Sequence, residues 1–370
     1  MLARRKYIYY GELEMLMKRE TCAMSKTVAL IVAVVVLVAA VGVAISLPQI
    51  TSIFQGPRQL EEVTFMLDWI IYGKHAMYYP SIELGLYEKY GLKVKMVRGY
   101  GSGDTIQKID AKQAEFGFAD LGSLVILRSK GAKVVMVGMI HHLMPHTIAY
   151  VKGRGITTPK DLEGKTISTP TGNAVWVLFP VFAKAVGIDA SKVSYVPADV
   201  AVSRAALLAG TVDMVGIFWG ERGALDKEAK KLNLEIGYFR YSDYGLQLYS
   251  NGIIVHEDTL KEKPDLVERF LKALYEGVDW ALKNPEKTLD IYMKYNPEQD
   301  REAAAAEWKY GGIDIFGDVP NKAKTPLQLA WMDPEKVRYT VEVISQYYQL
   351  DRPVSPDEIY TNRFTEKPAG

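Results

Sequence analysis

Apolar and polar residues alternate between Val63 and Leu67, a pattern typical of a largely buried β-strand. The chain then passes Asp68, enters a helical segment, and alternates again from Leu92 to Met96 as a second strand. In open, mostly parallel sheets, ligands bind beyond the carboxyl ends of the strands, where the next helix also directs its free N–H groups. The pattern therefore predicts an α/β fold with a ligand site just after the first strand.

Strand and helix patterns continue to alternate along the chain and predict two lobes. The chain is expected to leave lobe I near residue 150 and to return to it near residue 250. Lobe I would then comprise residues 63–152 and 250–365, with helices in its C-terminal part, and lobe II would comprise residues 153–249. Two crossings between the lobes predict a pair of hinge segments.

Residues 28–47 form a run of 20 residues without a charged side chain. As a helix with a rise of ~1.5 Å per residue, this run is ~30 Å long, which matches the hydrocarbon core of a bilayer. Basic residues precede it, so residues 1–26 are expected as a short cytoplasmic segment and residues after 48 outside the membrane. A membrane anchor over 27–47 is the favoured interpretation, a cleaved signal peptide is the alternative, and residues 48–62 are a linker.

Composition and charge exclude several classes of function. The net charge is +1, and six of the 45 basic residues but only three of the 44 acidic ones precede residue 27, so no basic surface for nucleic acid is expected. The single cysteine, Cys22, excludes a disulfide framework and a Cys-x-x-Cys metal site. His141, His142 and His146 have no acid or cysteine at ligand spacing, so neither a metal nor a cofactor is expected. A monomer is expected.

Polar and aromatic residues gather at the predicted strand ends and helix starts. Carboxylates there can accept hydrogen bonds from an amino group on a heterocycle, and aromatic rings can stack on a flat ligand. Each residue could instead cap a helix or fill a core. The candidate ligand-binding residues are Asp68, Trp69, His75, Tyr79, Ser102, Asp120, Thr171, Asn173, Trp176, Trp219, Glu221, Tyr249 and Asn251.

Two stretches resemble the NMT1/THI5-like proteins, a branch of the type II periplasmic solute-binding fold. The first contains Asp68-Trp69, His75-Ala76, Tyr79, Gly85 and Gly91-Leu92, and the second runs from Gln113 to Asp120. The resemblance extends loosely from residue 63 to residue 296. It implies a two-lobed type II periplasmic-binding-protein fold, in which each lobe is a mixed sheet flanked by helices. It also implies an extracytoplasmic receptor that closes over a small molecule and delivers it to an ABC permease with its ATPase.

The same resemblance favours a thiamine pyrimidine precursor as the ligand, because members with Asp-Trp followed by His-Ala resemble receptors for these compounds. Ile71-Tyr72 departs from the Pro-Asn of those members, so riboflavin-like compounds, sulfonates such as taurine, and nitrate stay as alternatives. An enzyme like the fungal members is less favoured. Ala119 and Ser123 stand where the resemblance would place a Schiff-base lysine and a histidine. A ligand-sensing domain is a further alternative.

Overall fold

The computed structural model describes residues 59–368, whose strands form two five-stranded sheets. The first sheet contains β1 (Glu61–Met66), β2 (Leu92–Val97), β3 (Phe116–Asp120), β4 (Val134–Met139) and β10 (Asn251–His256). The second sheet contains β5 (His146–Val151), β6 (Thr166–Ser168), β7 (Ser194–Val196), β8 (Met214–Phe218) and β9 (Ile236–Arg240). The spatial orders are β2-β1-β3-β10-β4 and β7-β6-β8-β5-β9.

Both sheets are mixed, which confirms the sequence prediction. In the first, β1 pairs in parallel with β2 and β3, while β10 runs antiparallel to β3 and β4. In the second, β6 pairs in parallel with β7 and β8, while β5 runs antiparallel to β8 and β9. In each sheet the parallel strands end toward one edge, where the segments that follow them can meet a ligand.

The first passage between the sheets lies earlier than the sequence predicts. Segment 147–151 is expected from its pattern to be the last strand of lobe I, but β5 pairs with β8 and β9 of the second sheet. The chain therefore passes between the sheets at residues 140–145 and returns at 241–250. An alternating apolar strand carries no signal for which of two sheets it joins, because both offer the same backbone hydrogen bonds.

Helices cover the sheets and supply most of the C-terminal third. Pro180 divides the helix that the sequence predicts over 174–186 into two pieces, because the ring of proline occupies a first turn well and a helix interior badly. The α-helices are α1 (Tyr79–Glu83), α2 (Leu86–Lys89), α3 (Ser102–Asp110), α4 (Leu121–Ser129), α5 (Ala174–Val177), α6 (Phe179–Ala185), α7 (Val200–Ala209), α8 (Arg222–Lys231), α9 (Glu257–Glu262), α10 (Pro264–Lys283), α11 (Pro285–Tyr295), α12 (Arg301–Trp308), α13 (Val319–Lys322) and α14 (Pro334–Tyr347).

Short 3-10 segments stand at several strand ends, and a π-turn, Lys309–Ile313, follows α12. The 3-10 segment Gly73–Tyr78 follows β1 and the 3-10 segment Trp219–Glu221 follows β8, so both lie at the predicted ligand edge. The 3-10 segments are Gly73–Tyr78, Pro159–Leu162, Ala190–Lys192, Trp219–Glu221, Tyr241–Tyr244, Asp314–Phe316, Pro326–Gln328 and Pro356–Glu358.

Buried apolar side chains hold the first sheet to α10 and join the two lobes. Phe116 of β3 stacks on Phe270 of α10 with ring centres 3.8 Å apart. A separate hydrophobic cluster contains Leu124 of α4, Phe182 of α6 and Ile344 of α14. Because α4 belongs to lobe I and α6 to lobe II, α14 packs against both lobes.

No helix within residues 59–368 is long and apolar enough to cross a membrane. The predicted anchor over 27–47, the segment 1–26 and most of the linker 48–62 lie outside the described residues.

Candidate functional site

A buried ion pair lies just beyond the end of β1. Lys74, in the 3-10 segment Gly73–Tyr78, donates from Nζ to Asp68 Oδ2 at 2.6 Å, and both side chains are almost fully buried. Asn251, at the start of β10, donates from Nδ2 to the same oxygen at 2.9 Å. His75 Nε2 lies 2.9 Å from Asp68 Oδ1. The Asp68 carboxylate therefore organises three side chains from two strand ends.

These contacts assign the protonation state of His75. The backbone N–H of Tyr72 donates to His75 Nδ1 at 3.4 Å, so Nε2 carries the proton and donates it to Asp68. Burial lowers the pKa of His75 to about 4, which leaves the ring neutral near pH 7. Burial raises the pKa of Asp68, but the combined effect of Lys74 and His75 is larger and opposite. The pKa of Asp68 is therefore lowered. The pKa of Lys74 is lowered by burial, which Asp68 opposes.

A narrow cavity of about 10 Å³, called the central cavity here, lies between the two lobes next to this ion pair. Its polar lining comes from both lobes. Asp68, Lys74 and Ser102 belong to lobe I, and Asn173 and Glu221 belong to lobe II. Trp69 and Phe218 add aromatic surface, Gly101 and Ala174 complete the lining, and the indole N–H of Trp69 has no hydrogen-bond partner within residues 59–368. The cavity therefore combines aromatic faces with polar groups that can orient a small molecule.

The sequence prediction missed four residues of this lining, Gly101, Ala174, Phe218 and Lys74, of which Lys74 is the charged one. Its ammonium group lies 4.5 Å from the ring centre of Phe218, a cation–π distance, in addition to its pairing with Asp68. The available signal was its position directly before His75, behind a strand end. A lysine in a helical start is most often exposed, so the pattern alone favoured a solvated side chain.

Two buried carboxyl groups lie beyond Trp69. Glu221 lies in the 3-10 segment after β8, Glu307 lies in the last turn of α12, and both side chains are buried. Burial raises the pKa of each to about 7, and nearby Arg204 opposes the shift for both. The backbone N–H of Gly73 donates to Glu307 Oε2 at 2.8 Å, so Glu307 holds the start of the segment that carries Lys74.

These two acids share a second cavity, of about 210 Å³, called the Glu307 cavity here. Trp69 and Glu221 line both this cavity and the central one, so the two cavities have a common wall. Tyr72, Arg204 and Gln299 supply its remaining polar groups, and the aliphatic side chains of Ile70, Ile71 and Val200 supply its apolar surface.

Asp120 lies near the central cavity and does not line it. Its Oδ1 accepts from the backbone N–H of Ser123 at 2.7 Å, which caps α4, and its Oδ2 accepts from the hydroxyl of Ser250 at 2.9 Å. Its backbone N–H donates to the hydroxyl of Ser102 at 3.1 Å. Asp120 therefore positions Ser102 and the start of α4, and its carboxylate oxygens already have protein partners.

The other candidate residues lie away from the central cavity. Thr171 lines a separate groove of about 410 Å³ together with Tyr100 and Gly172. Trp176 stacks on Tyr195 with ring centres 4.4 Å apart.

Three further aromatic candidates have packing partners elsewhere. The indole of Trp219 lies between the guanidinium groups of Arg222 and Arg240, each 4.6 Å away. Tyr249 accepts from the backbone N–H of Asp333, and Tyr79 donates to Asn296 at 3.4 Å.

His141 and His146, at the first passage between the lobes, are buried without strong partners in the described part of the chain, whereas His142 Nε2 lies 2.9 Å from the carbonyl oxygen of Leu329. Both ring nitrogens of His141 and of His146 lack hydrogen-bond partners within residues 59–368, although His146 Nε2 lies 3.5 Å from Asp120 Oδ2. Burial lowers the pKa of both rings, to about 4 for His146. The described part of the chain contains no group of three or more His, Cys, Asp or Glu residues arranged to hold a metal ion.

Solved structures of periplasmic binding proteins share this architecture. The periplasmic aliphatic sulphonate binding protein SsuA from Escherichia coli aligns with a TM-score of 0.61 at 15% identity, covering 84% of this chain and 94% of that one. A Candida albicans protein with the generic periplasmic binding protein structural fold aligns with a TM-score of 0.60 at 14% identity, covering 84% and 98%. Two mixed sheets with a cavity between them therefore define a periplasmic-binding-protein fold.

The family can be stated more closely. The model of the family described as NMT1/THI5 like matches residues 73–288, more than half of the chain. The chain belongs to the NMT1/THI5-like family, as its sequence motifs indicated.

Its relatives carry names of two kinds. The formylaminopyrimidine-binding protein of Halalkalibacterium halodurans is 23% identical over 305 residues, covering 82% of this chain and 90% of the relative. The riboflavin-binding protein RibY of Chloroflexus aurantiacus is 21% identical, with 82% and 86% covered. A 4-amino-5-hydroxymethyl-2-methylpyrimidine phosphate synthase of Saccharomyces cerevisiae is 21% identical, with 67% and 75% covered.

Proposed function

We propose that this protein is the solute-binding component of an ABC importer and that its two lobes close over a planar, amino-substituted heterocycle. The observation that carries the proposal is the central cavity, which draws its polar groups from both lobes and adds the aromatic side chains of Trp69 and Phe218. A site divided between two lobes suits a receptor that captures a molecule by closing and releases it by opening.

Glu221 is the group that favours an aminopyrimidine. A ring nitrogen of such a ligand accepts a hydrogen bond and the neighbouring amino group donates one. A carboxyl group whose pKa is about 7 can carry a proton near neutrality and then donate to the ring nitrogen while accepting from the amino group. Trp69 and Phe218 can face the ring, and the free indole N–H of Trp69 can donate to an oxygen of a substituent.

The formylaminopyrimidine-binding relative supports this ligand class, and the riboflavin-binding relative makes a flavin-like compound the second candidate. Both ligands are planar and contain a pyrimidine-type edge, so the same carboxyl group could serve either. Sulfonate, taurine and nitrate are less favoured. Among residues 59–368, Lys74 is the one cation that lines the central cavity, and it is already paired with Asp68. The Glu221 carboxylate repels an anion.

A receptor is favoured over an enzyme like the yeast relative. Alanine at position 119, in β3, and serine at position 123, in the first turn of α4, supply neither an amine nor an imidazole. Lys74 is buried beside Asp68 on a different element, and its ammonium group is held by the carboxylate. A ligand-sensing domain would close over the same cavity. It would differ from a receptor in acting on a membrane partner other than an ABC permease.

The proposed location is outside the cytoplasmic membrane, anchored through residues 28–47, with an ABC permease and its ATPase as partners. The uncharged run and its basic flank in the sequence support this arrangement. The relatives named as binding proteins are consistent with it.

Thermal unfolding of the full chain tests the ligand class. We expect 4-amino-5-hydroxymethyl-2-methylpyrimidine at about 100 times Kd to add ~2.7 kcal/mol to the folded state and to raise Tm by a few degrees. Riboflavin is the second compound of the panel, and taurine and nitrate are the anionic ones. Stabilisation by taurine or nitrate alone would exclude the heterocycle.

Variants at Glu221 test the site. Glu221→Leu removes both hydrogen-bonding positions, so we expect the pyrimidine to bind about tenfold more weakly or worse. Glu221→Gln keeps one donor and one acceptor in the same places and should retain most of the affinity. Glu235→Leu, which alters an exposed glutamate of lobe II, is the matched control. If Glu221→Leu binds like the parent, Glu221 does not contact the ligand.

A further inference from the structure

The Glu307 cavity contains two buried carboxyl groups, neither of which forms a close ion pair within residues 59–368. Glu221 is 6% exposed and Glu307 is 7% exposed, and neither has an ion-pair partner within 4.0 Å in the described part of the chain. The backbone N–H of Gly73 donates to Glu307 Oε2, which leaves Oε1 of Glu307 for another partner. Unpaired buried carboxylates are costly, so the pair must take up a proton or a cation.

Arg204 offsets only part of the charge of these two acids. Arg204 lines the cavity, but its guanidinium group also lies 3.7 Å from Glu228 on α8. On the lobe I side, Lys74 is paired with Asp68. Asp300, before α12, is a further negative charge that raises the pKa of Glu307. Lys227 forms an ion pair with Asp300 at 2.8 Å. An excess of negative charge therefore remains at the cavity when both glutamates are ionised.

A hydroxyl group gives an independent sign of a polar ligand group. Tyr72 is 5% exposed, lines the Glu307 cavity, and has no hydrogen-bond partner for its hydroxyl within residues 59–368. The indole N–H of Trp69, on the wall between the two cavities, also lacks a partner. Buried polar groups in proteins are rarely left unpaired, so unpaired ones around a cavity point to a ligand.

We propose that the Glu307 cavity binds a protonated primary amine on a short arm of the ligand. This inference rests on the proposed function, because it takes the ring of the same ligand to lie in the central cavity. The ammonium group would donate to Glu307 Oε1 and to the hydroxyl oxygen of Tyr72, while Glu221 on the shared wall contacts the ring. The ligand class is then a planar amino-heterocycle with an aminomethyl-type substituent, in preference to its hydroxymethyl or formylated counterpart.

Calorimetric titration of the full chain with three matched pyrimidines tests the inference. The probes are 4-amino-2-methylpyrimidines with an aminomethyl, a hydroxymethyl or a formylaminomethyl group at the same ring position. At pH 8 we expect the aminomethyl compound to bind about tenfold tighter than the other two, or more, because its hydrogen bonds are charge-assisted. Equal affinities for all three would overturn the inference and leave the proposed function standing. Binding of none would overturn the proposed function itself.

A charge-removing variant locates the amine. Glu307→Gln keeps an acceptor for the Gly73 N–H but removes the negative charge. We therefore expect the preference, which is the affinity for the aminomethyl compound divided by that for the other two, to fall close to one. Glu302→Gln removes a charge from an exposed position on the same helix and should retain the preference. A preference that persists in Glu307→Gln would place the amine elsewhere and overturn the inference.

The pH dependence of the parent protein gives a second test that needs no variant. The pKa of Glu307 is raised to about 7, so its carboxyl is ionised at pH 8 and protonated at pH 5.5, whereas the ligand amine stays protonated at both. We expect the preference to weaken by about tenfold between pH 8 and pH 5.5. A constant preference would assign the amine to an ordinary exposed carboxylate, whose charge does not change in this range.

Discussion

At the residue scale, the site is organised by one carboxylate. Asp68 accepts hydrogen bonds from Lys74, His75 and Asn251, so little of its capacity remains for a ligand. From sequence, Asp68 was a candidate acceptor for the ligand. Its contacts favour a positioning role instead, in which the carboxylate fixes Lys74 at the wall of the central cavity and Glu221 takes the place of the acceptor.

The Lys74 pairing predicts a pH-dependent loss of stability. Removing one partner of a buried ion pair leaves the other charge uncompensated, so we expect Lys74→Met to lower the free energy of unfolding by about 3 kcal/mol at pH 8. Without Lys74, the pKa of His75 should rise, since Lys74 is one of the groups that lower it. His75 then gains a proton as the pH falls and pairs with Asp68, so the deficit should shrink between pH 8 and pH 6.

Urea unfolding at the two pH values measures this loss. Lys89→Met is the matched control, because Lys89 is half exposed and pairs with Glu276 on the surface, where a pair contributes less than about 1 kcal/mol. A Lys74→Met deficit that equals the control, or that does not change with pH, would show that the Asp68 network does not depend on this charge.

At the element scale, the lobes approach each other through glycines. A Cβ at Gly220, after β8, would lie 2.8 Å from Gly311 Cα in the π-turn after α12. A Cβ at Gly101, before α3, would lie 2.5 Å from the carbonyl oxygen of Gly172. The φ angle of Gly101, +124°, favours glycine whatever the surrounding space. The backbone of Gly220 would accept other residues, so only the close contact with Gly311 requires glycine at position 220.

Gly220→Ala should therefore oppose closure of the two lobes. The added methyl group meets backbone atoms, so we expect a penalty of roughly 1–3 kcal/mol in the closed arrangement and a ligand affinity lower by about five- to 100-fold. Titration gives the affinity, and solution scattering at saturation should give a larger radius of gyration than for the parent.

Gly103→Ala is the control, because a Cβ there is at an ordinary distance of 3.6 Å from the Gly172 carbonyl oxygen. If Gly220→Ala binds and closes like the parent, tight packing at this contact is not required for binding.

Element boundaries show what local patterns can predict. The pattern predicts a helix over 200–209, and α7 has the same bounds. Gly210, in the left-handed conformation, ends it. The observed bounds of β1 and β2 also lie within a few residues of those that the alternating pattern predicts. The assignment of β5 to a lobe was not predictable, since it depends on pairing with strands about 70 and 90 residues later.

At the scale of the whole molecule, the sequence motifs identified the family and the two-lobed fold, and the strand ends predicted where a ligand site would lie. Asp68, Trp69, Ser102, Asn173 and Glu221 all line the central cavity. Each of these residues lies next to a strand end or a helix start, and a sequence pattern can locate such positions.

The remainder of the site depends on contacts between distant parts of the chain. Glu307 is 234 residues from Gly73, whose N–H it accepts, and it lies in a helix whose pattern is that of an ordinary amphipathic segment. Trp176 and Trp219 are aromatic residues near strand ends, yet they pack on Tyr195 and between two arginines. Sequence spacing cannot distinguish these surroundings, because packing partners are set by the tertiary fold.

A crystal structure with 4-amino-5-hydroxymethyl-2-methylpyrimidine bound is the most direct test of the central claim, that a heterocycle lies between the lobes at Glu221. We expect the ring between Trp69 and Phe218, with its amino group and neighbouring ring nitrogen at hydrogen-bond distances of about 2.7–3.2 Å from the Glu221 carboxyl group. Binding in the groove beside Tyr100 and Thr171, or on an outer face of either lobe with no contact to Glu221, would contradict it.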